Sequence, residues 1–206
     1  MSLRSLTGII LVAAPLITFI GFFGLLFPIT GTPDGSSKFL DSMGNNTEIV
    51  LLGIVIGTLG LILTGAGLGL LHTMMGNGLG SPYMQLGILF IILGTTMLIG
   101  EGALFVSSSS QASQARFANA LSFFQISQAL GSFGASTCGV GFAIVGLALA
   151  IQKNLNTIIA YAFILIGLIG SIISLWDYTS SLMLIWYVGS ALLALISGIL
   201  ILKSNE

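Results

Sequence analysis

The sequence predicts an all-α integral membrane protein: a bundle of six transmembrane helices with short loops, forming a single transmembrane domain over residues 1–206. Two observations carry that prediction. Hydrophobic residues make up 55% of the chain and charged residues 5%, with a mean hydropathy of +1.11, a balance suited to lipid rather than water as the main solvent. Six long apolar runs recur along it. A hydrocarbon core of ~30 Å needs about 20 helical residues per crossing, so six spans and their connections account for nearly the whole chain.

Span one is placed at residues 7–27, preceded by Arg4 and closed by Pro28. This run is longer than the apolar core of a signal peptide, about 7 to 15 residues, and no small-x-small cleavage pattern follows it, so it is read as part of the mature chain. Pro15 removes one backbone donor inside the run and predicts a bend there. Residues 28–48 hold Asp34, Lys38, Asp41 and Glu48 among Gly, Ser and Asn, and read as the longest surface loop. Spans two and three fall at 49–72 and 84–106, joined by a Gly-rich turn over 73–83 that makes them antiparallel neighbours. The stretch SSSSQASQARFAN that follows Val106 is too polar for a membrane core. Phe117, Leu121 and Phe124 then recur at helical spacing, which predicts an interfacial helix over 117–128. Spans four, five and six are placed at 129–151, 158–176 and 182–202.

The helices carry small residues in register. Gly53, Gly57, Gly60, Thr64 and Gly67 in span two form one continuous stripe. Span four carries two: Ser127, Gly131, Gly134, Cys138 and Gly141, and then Ser132, Ser136, Gly139, Ala143 and Gly146. Apolar burial brings no gain inside lipid, so helices associate there by close backbone packing, and such stripes read as packing seams. Two seams predict that span four is packed on two sides near the bundle centre, with span two beside it.

Charge inside the spans is sparse. Glu101 is the one carboxyl well within an apolar run, and Gly87, Gly94, Glu101 and Ser108, spaced by sevens, place it on a small-residue seam. It reads either as a protonatable or cation-binding site near the outer mouth, or as a carboxyl that snorkels or pairs with Arg116 or a hydroxyl. The lone histidine, His72, ends span two beside Met74 and Met75; a polar end-marker is the commoner role, and a copper site the rarer one. Trp176, Tyr178, Trp186 and Tyr187 around Asp177 read as an interfacial aromatic belt. Gln125, Ser127, Gln128, Ser132, Ser136 and Thr137 enter span four and suit interhelical hydrogen bonding or a small wet cavity.

Several function classes are excluded or disfavoured. Five Lys and Arg against six Asp and Glu leave no basic footprint for nucleic acid. Cys138 is the single cysteine, so no internal disulfide or paired-cysteine metal site exists. HExxH, a phosphate loop ending in Lys, and an activated-serine motif are all missing, which predicts a non-enzyme with neither cofactor nor metal. Arg4, Lys153 and Lys203 against Lys38 and Arg116 predict both termini cytoplasmic in a cell membrane. The loop before span two would then be external, with Asn45-Asn46-Thr47 as a glycosylation sequon. Two functions remain. The sequence leans to a non-catalytic structural or accessory subunit, partnered by lipids and by other membrane subunits or copies of itself. The alternative is a small transporter or channel for an uncharged or weakly ionic solute, with Glu101 near the external mouth.

Overall fold

The computed structural model describes residues 1–31, 33–153 and 156–203, and among them the regular structure is entirely helical. Six helical spans of 20 to 36 residues are long and apolar enough to cross a membrane. The first, Leu3–Thr30, comprises α1 (Leu3–Phe19), a π-helical stretch (Ile20–Leu26) and α2 (Phe27–Thr30). The others are α4 (Thr47–Met75), α5 (Ser81–Ser113), α6 (Phe117–Gln152), α7 (Thr157–Trp176) and α8 (Met183–Lys203). A shorter helix, α3 (Ser37–Asn45), lies between the first span and α4.

The first span departs from α-helical geometry later than Pro15 suggests. Helix α1 continues through Pro15, and the irregularity is the π-helical stretch just before Pro28. There the Phe27 N–H donates five residues back, to the Phe22 carbonyl. Pro28 has no N–H, and its ring needs the carbonyl one turn earlier moved aside, which the wider π turn allows.

The expected surface loop over 28–48 is corrected in its middle. Helix α3 buries Phe39, Leu40 and Met43, with Met43 at 0% exposure. Its spacing of apolar residues gives one inward face, and Ser36 caps it by accepting the Phe39 N–H. The expected interfacial helix over 117–128 is not separate either. It is the first part of α6, a single 36-residue helix of about 54 Å. Ser132 of α6 donates to the carbonyl of Ser174, near the end of α7, so residues before Ser132 stand beyond that end. The α5–α6 hairpin thus projects past the shorter α7, and α3 packs on the projection. Phe39, Phe105 and Phe124 meet there with ring centroids 5.1 to 6.0 Å apart. Ser109 ties the two parts by donating to the Met43 carbonyl at 2.7 Å. We call this end of the bundle the α3 face, and the end holding the start of α1 and the end of α8 the terminal face.

The spans close into a ring in chain order. The first span packs on α4 and α8, α4 on α5, α5 on α6, α6 on α7, and α7 on α8. Small residues line every closely spaced pair. A Cβ on Gly60 would stand 2.7 Å from the Ala14 carbonyl oxygen, and one on Gly198 would stand 2.8 Å from that of Gly8. The first α6 stripe lies against α5, with Gly134 and Cys138 facing Gly94 and with Gly141 facing Gly87. The second lies against α7, where Gly139 faces Gly167 and Ser171 donates to the Ser136 carbonyl. Helix α6 is therefore packed on two sides as one segment of the ring wall. The expectation that α6 is the central helix holds as burial, since it is by far the most buried of the six spans, but its expected neighbour is corrected: α6 packs on α5 and α7, and α4 packs on the first span and α5. Outward faces are apolar: Leu51, Leu52, Val55, Leu59 and Ile62 of α4 are all about half exposed, as helix faces turned to lipid require.

Candidate functional site

The heptad that carries Glu101 faces α6 along its length. Gly87 meets Gly141, Gly94 meets Gly134 and Cys138, and Ser108 donates to the Ala120 carbonyl at 2.7 Å. Between the last two, the Glu101 carboxyl lies over Gly131, where a Cβ would collide with it. The glycine makes the room that the carboxyl occupies. Helix α5 runs on to Ser113, twelve residues past Glu101, which puts Arg116 about 18 Å or more along the helix axis. The partner is instead a hydroxyl.

Tyr178, two residues beyond the end of α7, donates to both Glu101 oxygens at 3.1 and 3.0 Å. Tyr187 of α8 donates in turn to the Tyr178 hydroxyl at 2.8 Å. Three elements thus converge on one carboxyl: α5 supplies it, the α7–α8 turn supplies the first hydroxyl, and α8 supplies the second. Because α7 ends at Trp176, Glu101 sits level with the α3-face end of the shorter helices.

This triad opens on a cavity of about 200 Å³ inside the ring. Its wall takes residues from the first span, α4, α5, α6, α8 and the α7–α8 turn, and reaches Phe27 and Pro33 at the α3 face. Ile54, Leu61, Ile91 and Leu98 supply its apolar side. Polar groups are few: Glu101, Tyr178, Tyr187, Gln128, Ser190, Cys138 and the threonines at 18, 58, 64 and 95. Three of those threonine hydroxyls donate to carbonyls one turn back in their own helices, Thr18 to Ala14, Thr58 to Ile54 and Thr64 to Gly60. Thr95 instead approaches Cys138 Sγ at 3.9 Å. Concave, mainly apolar sites with a few convergent polar groups are the usual form of a small-molecule site.

The remaining residues singled out from sequence fall elsewhere. His72 Nε2 bonds the Ser81 hydroxyl at 3.0 Å and ties the end of α4 to the start of α5. Met75 is buried in the core at the terminal face. No group of three or more His, Cys, Asp or Glu is gathered among the described residues. In the α6 polar run, Ser132 and Ser136 serve α7 through their bonds with Ser174 and Ser171, and Gln128 lines the cavity. The aromatic belt reading is corrected. Trp186 is 4% exposed and meets Phe142 edge to face at 5.2 Å, while Tyr178 and Tyr187 turn inward to Glu101. Trp176, 87% exposed, is the one of the four on the outer surface. The tyrosine pair was missed because Tyr178 lies 77 residues from Glu101, with nothing local to join them. The signal available was the polar rarity itself: one carboxyl in the apolar runs requires donors from somewhere.

No protein-family model matches this chain, and neither the curated proteins nor the solved structures yield a match. Its class rests on the fold: a multi-pass α-helical membrane protein whose six spans enclose a cavity.

Proposed function

We propose that this protein is a small transporter that moves a small, largely apolar solute, uncharged or weakly ionic, through the ring axis. The observation that supports it is the cavity with the Glu101 carboxyl in its wall. Helices in lipid are held together by van der Waals packing and interhelical hydrogen bonds. A void in their midst forgoes part of that attraction, so a purely structural bundle has reason to fill it. Short loops and scarce charge, which led the sequence to favour an accessory subunit, suit a transporter equally. The size of the cavity favours a small solute, since sites for drug-sized ligands run to about 300–1,000 Å³. With both termini cytoplasmic, as the basic residues suggest, the Glu101 end of the cavity is the external mouth. The reading is non-catalytic, in keeping with a sequence that carries no HExxH, phosphate-loop or activated-serine motif.

The test is flux in proteoliposomes, with small apolar amines, alcohols and amides loaded inside and efflux followed with time. Protein-dependent efflux that changes when Glu101 becomes Gln supports transport. Absence of flux for every solute, together with membrane proteins that co-purify from the native host in fixed ratio, would return the accessory-subunit reading.

A further inference from the structure

We infer that the cavity is a site for a small hydrophobic organic cation, an ammonium carried on an apolar body, with Glu101 as its charge partner. The inference rests on the transporter reading for its site and narrows its solute, there uncharged or weakly ionic, to a monovalent cation on an apolar body. Among the described residues lining the cavity, Glu101 supplies the single carboxyl group, and Lys, Arg and His are absent. Ionised beside a bound cation, the carboxyl accepts about four hydrogen bonds. The Tyr178 hydroxyl, shared between the two oxygens, leaves acceptor positions on both. Nothing described in the wall offers a positive charge to meet it.

The rest of the wall suits the same ligand. Phe142, Trp186 and Tyr187 come from α6 and α8, and Phe19 and Phe22 from the first span. Aromatic faces attract cations through the ring quadrupole, and more strongly away from water, where quaternary ammonium groups are recognised by such rings. Carboxylate and rings together distinguish an organic cation from two competitors. An anion would meet Glu101 unfavourably, and a small metal ion would find too few oxygen ligands for its shell. A neutral apolar solute would use the rings but leave the carboxyl without a partner beyond Tyr178.

The experiment uses a matched pair of probes: benzyltrimethylammonium and neopentylbenzene, which have the same shape and differ in one positive charge. Binding to the detergent-purified Trp176→Phe protein is read from emission, since Trp186 in the cavity wall is then the sole tryptophan. The expected result is that the cation changes Trp186 emission at concentrations at least about tenfold below its neutral isostere. Glu101→Gln should remove that preference. Because the comparison is made first on a protein that keeps Glu101, it stands even where Glu101→Gln fails to fold. If the neutral probe binds as tightly as the cation, the cation assignment is overturned while the cavity reading survives. If neither probe alters Trp186 emission, the cavity reading falls with it.

Discussion

The Tyr178 hydroxyl bridges both oxygens of Glu101 at 3.1 and 3.0 Å, closing the α7–α8 turn onto the side of α5 across 77 residues of chain. This contact anchors a turn that otherwise carries only short-range bonds, such as Asp177 accepting from Thr179. Tyr178→Phe removes the donor and leaves the carboxyl facing the cavity alone. Interhelical hydrogen bonds in membrane proteins average about 0.6 kcal/mol and reach about 1.7 kcal/mol. We expect a loss of about 1–2 kcal/mol and a lower Tm in detergent, since the acceptor here is a carboxyl. Tyr187→Phe, which leaves the direct bond in place, should cost less.

Glycine position, rather than glycine content, should govern stability in α4. A Cβ on Gly60 would meet the Ala14 carbonyl oxygen at 2.7 Å, whereas one on Gly69 would meet nothing within 4 Å. Gly60→Ala should push α4 off the first span and lower Tm by several degrees. Gly69→Ala should leave it unchanged or raise it, since alanine favours the helix by up to about 1 kcal/mol over glycine. Equal effects at the two positions would refute seam packing.

Helix α3 should behave as part of the core. Phe39 is 3% exposed and meets Phe105 and Phe124, whereas Lys38 beside it is exposed. Phe39→Ala should cost about 3 kcal/mol or more through the lost burial and the cavity left behind, and Lys38→Ala close to nothing. Thermal unfolding in detergent compares them, and amide exchange over Ser37–Asn45 should rise in the first variant alone.

At the terminal face, Gln152 fastens the turn between α4 and α5. Its Oε1 accepts the Gly80 N–H at 2.9 Å, and its Nε2 donates to the Met75 carbonyl at 3.3 Å. Gln152→Leu keeps the bulk and removes both bonds, so the freed backbone groups should cost about 1–3 kcal/mol where they stay dry. Faster exchange of the Gly80 amide would report it; unchanged exchange would mean that water replaces the side chain.

The membrane class, the six spans and the small-residue stripes were determined by the sequence alone, because each depends on local chemistry. Apolar length is set by the thickness of the lipid, and a stripe by the helical repeat of 3.6 residues. Local polarity misled where burial was supplied from far away. The segment around Phe39 reads as a polar loop until the projecting α5–α6 hairpin offers Phe105 and Phe124 as a surface for it. Tyr178 and Trp186 read as belt residues until the ring closes and turns them inward. Only the tertiary structure decided that α6 packs between α5 and α7 rather than beside α4, that the ring axis holds a cavity, and that Glu101 meets Tyr178 and, through it, Tyr187 there. A stripe of glycines tells each helix that it has a close neighbour. Which helix that is, and what the closed ring encloses, follows from satisfying all the seams at once, a condition no single segment contains.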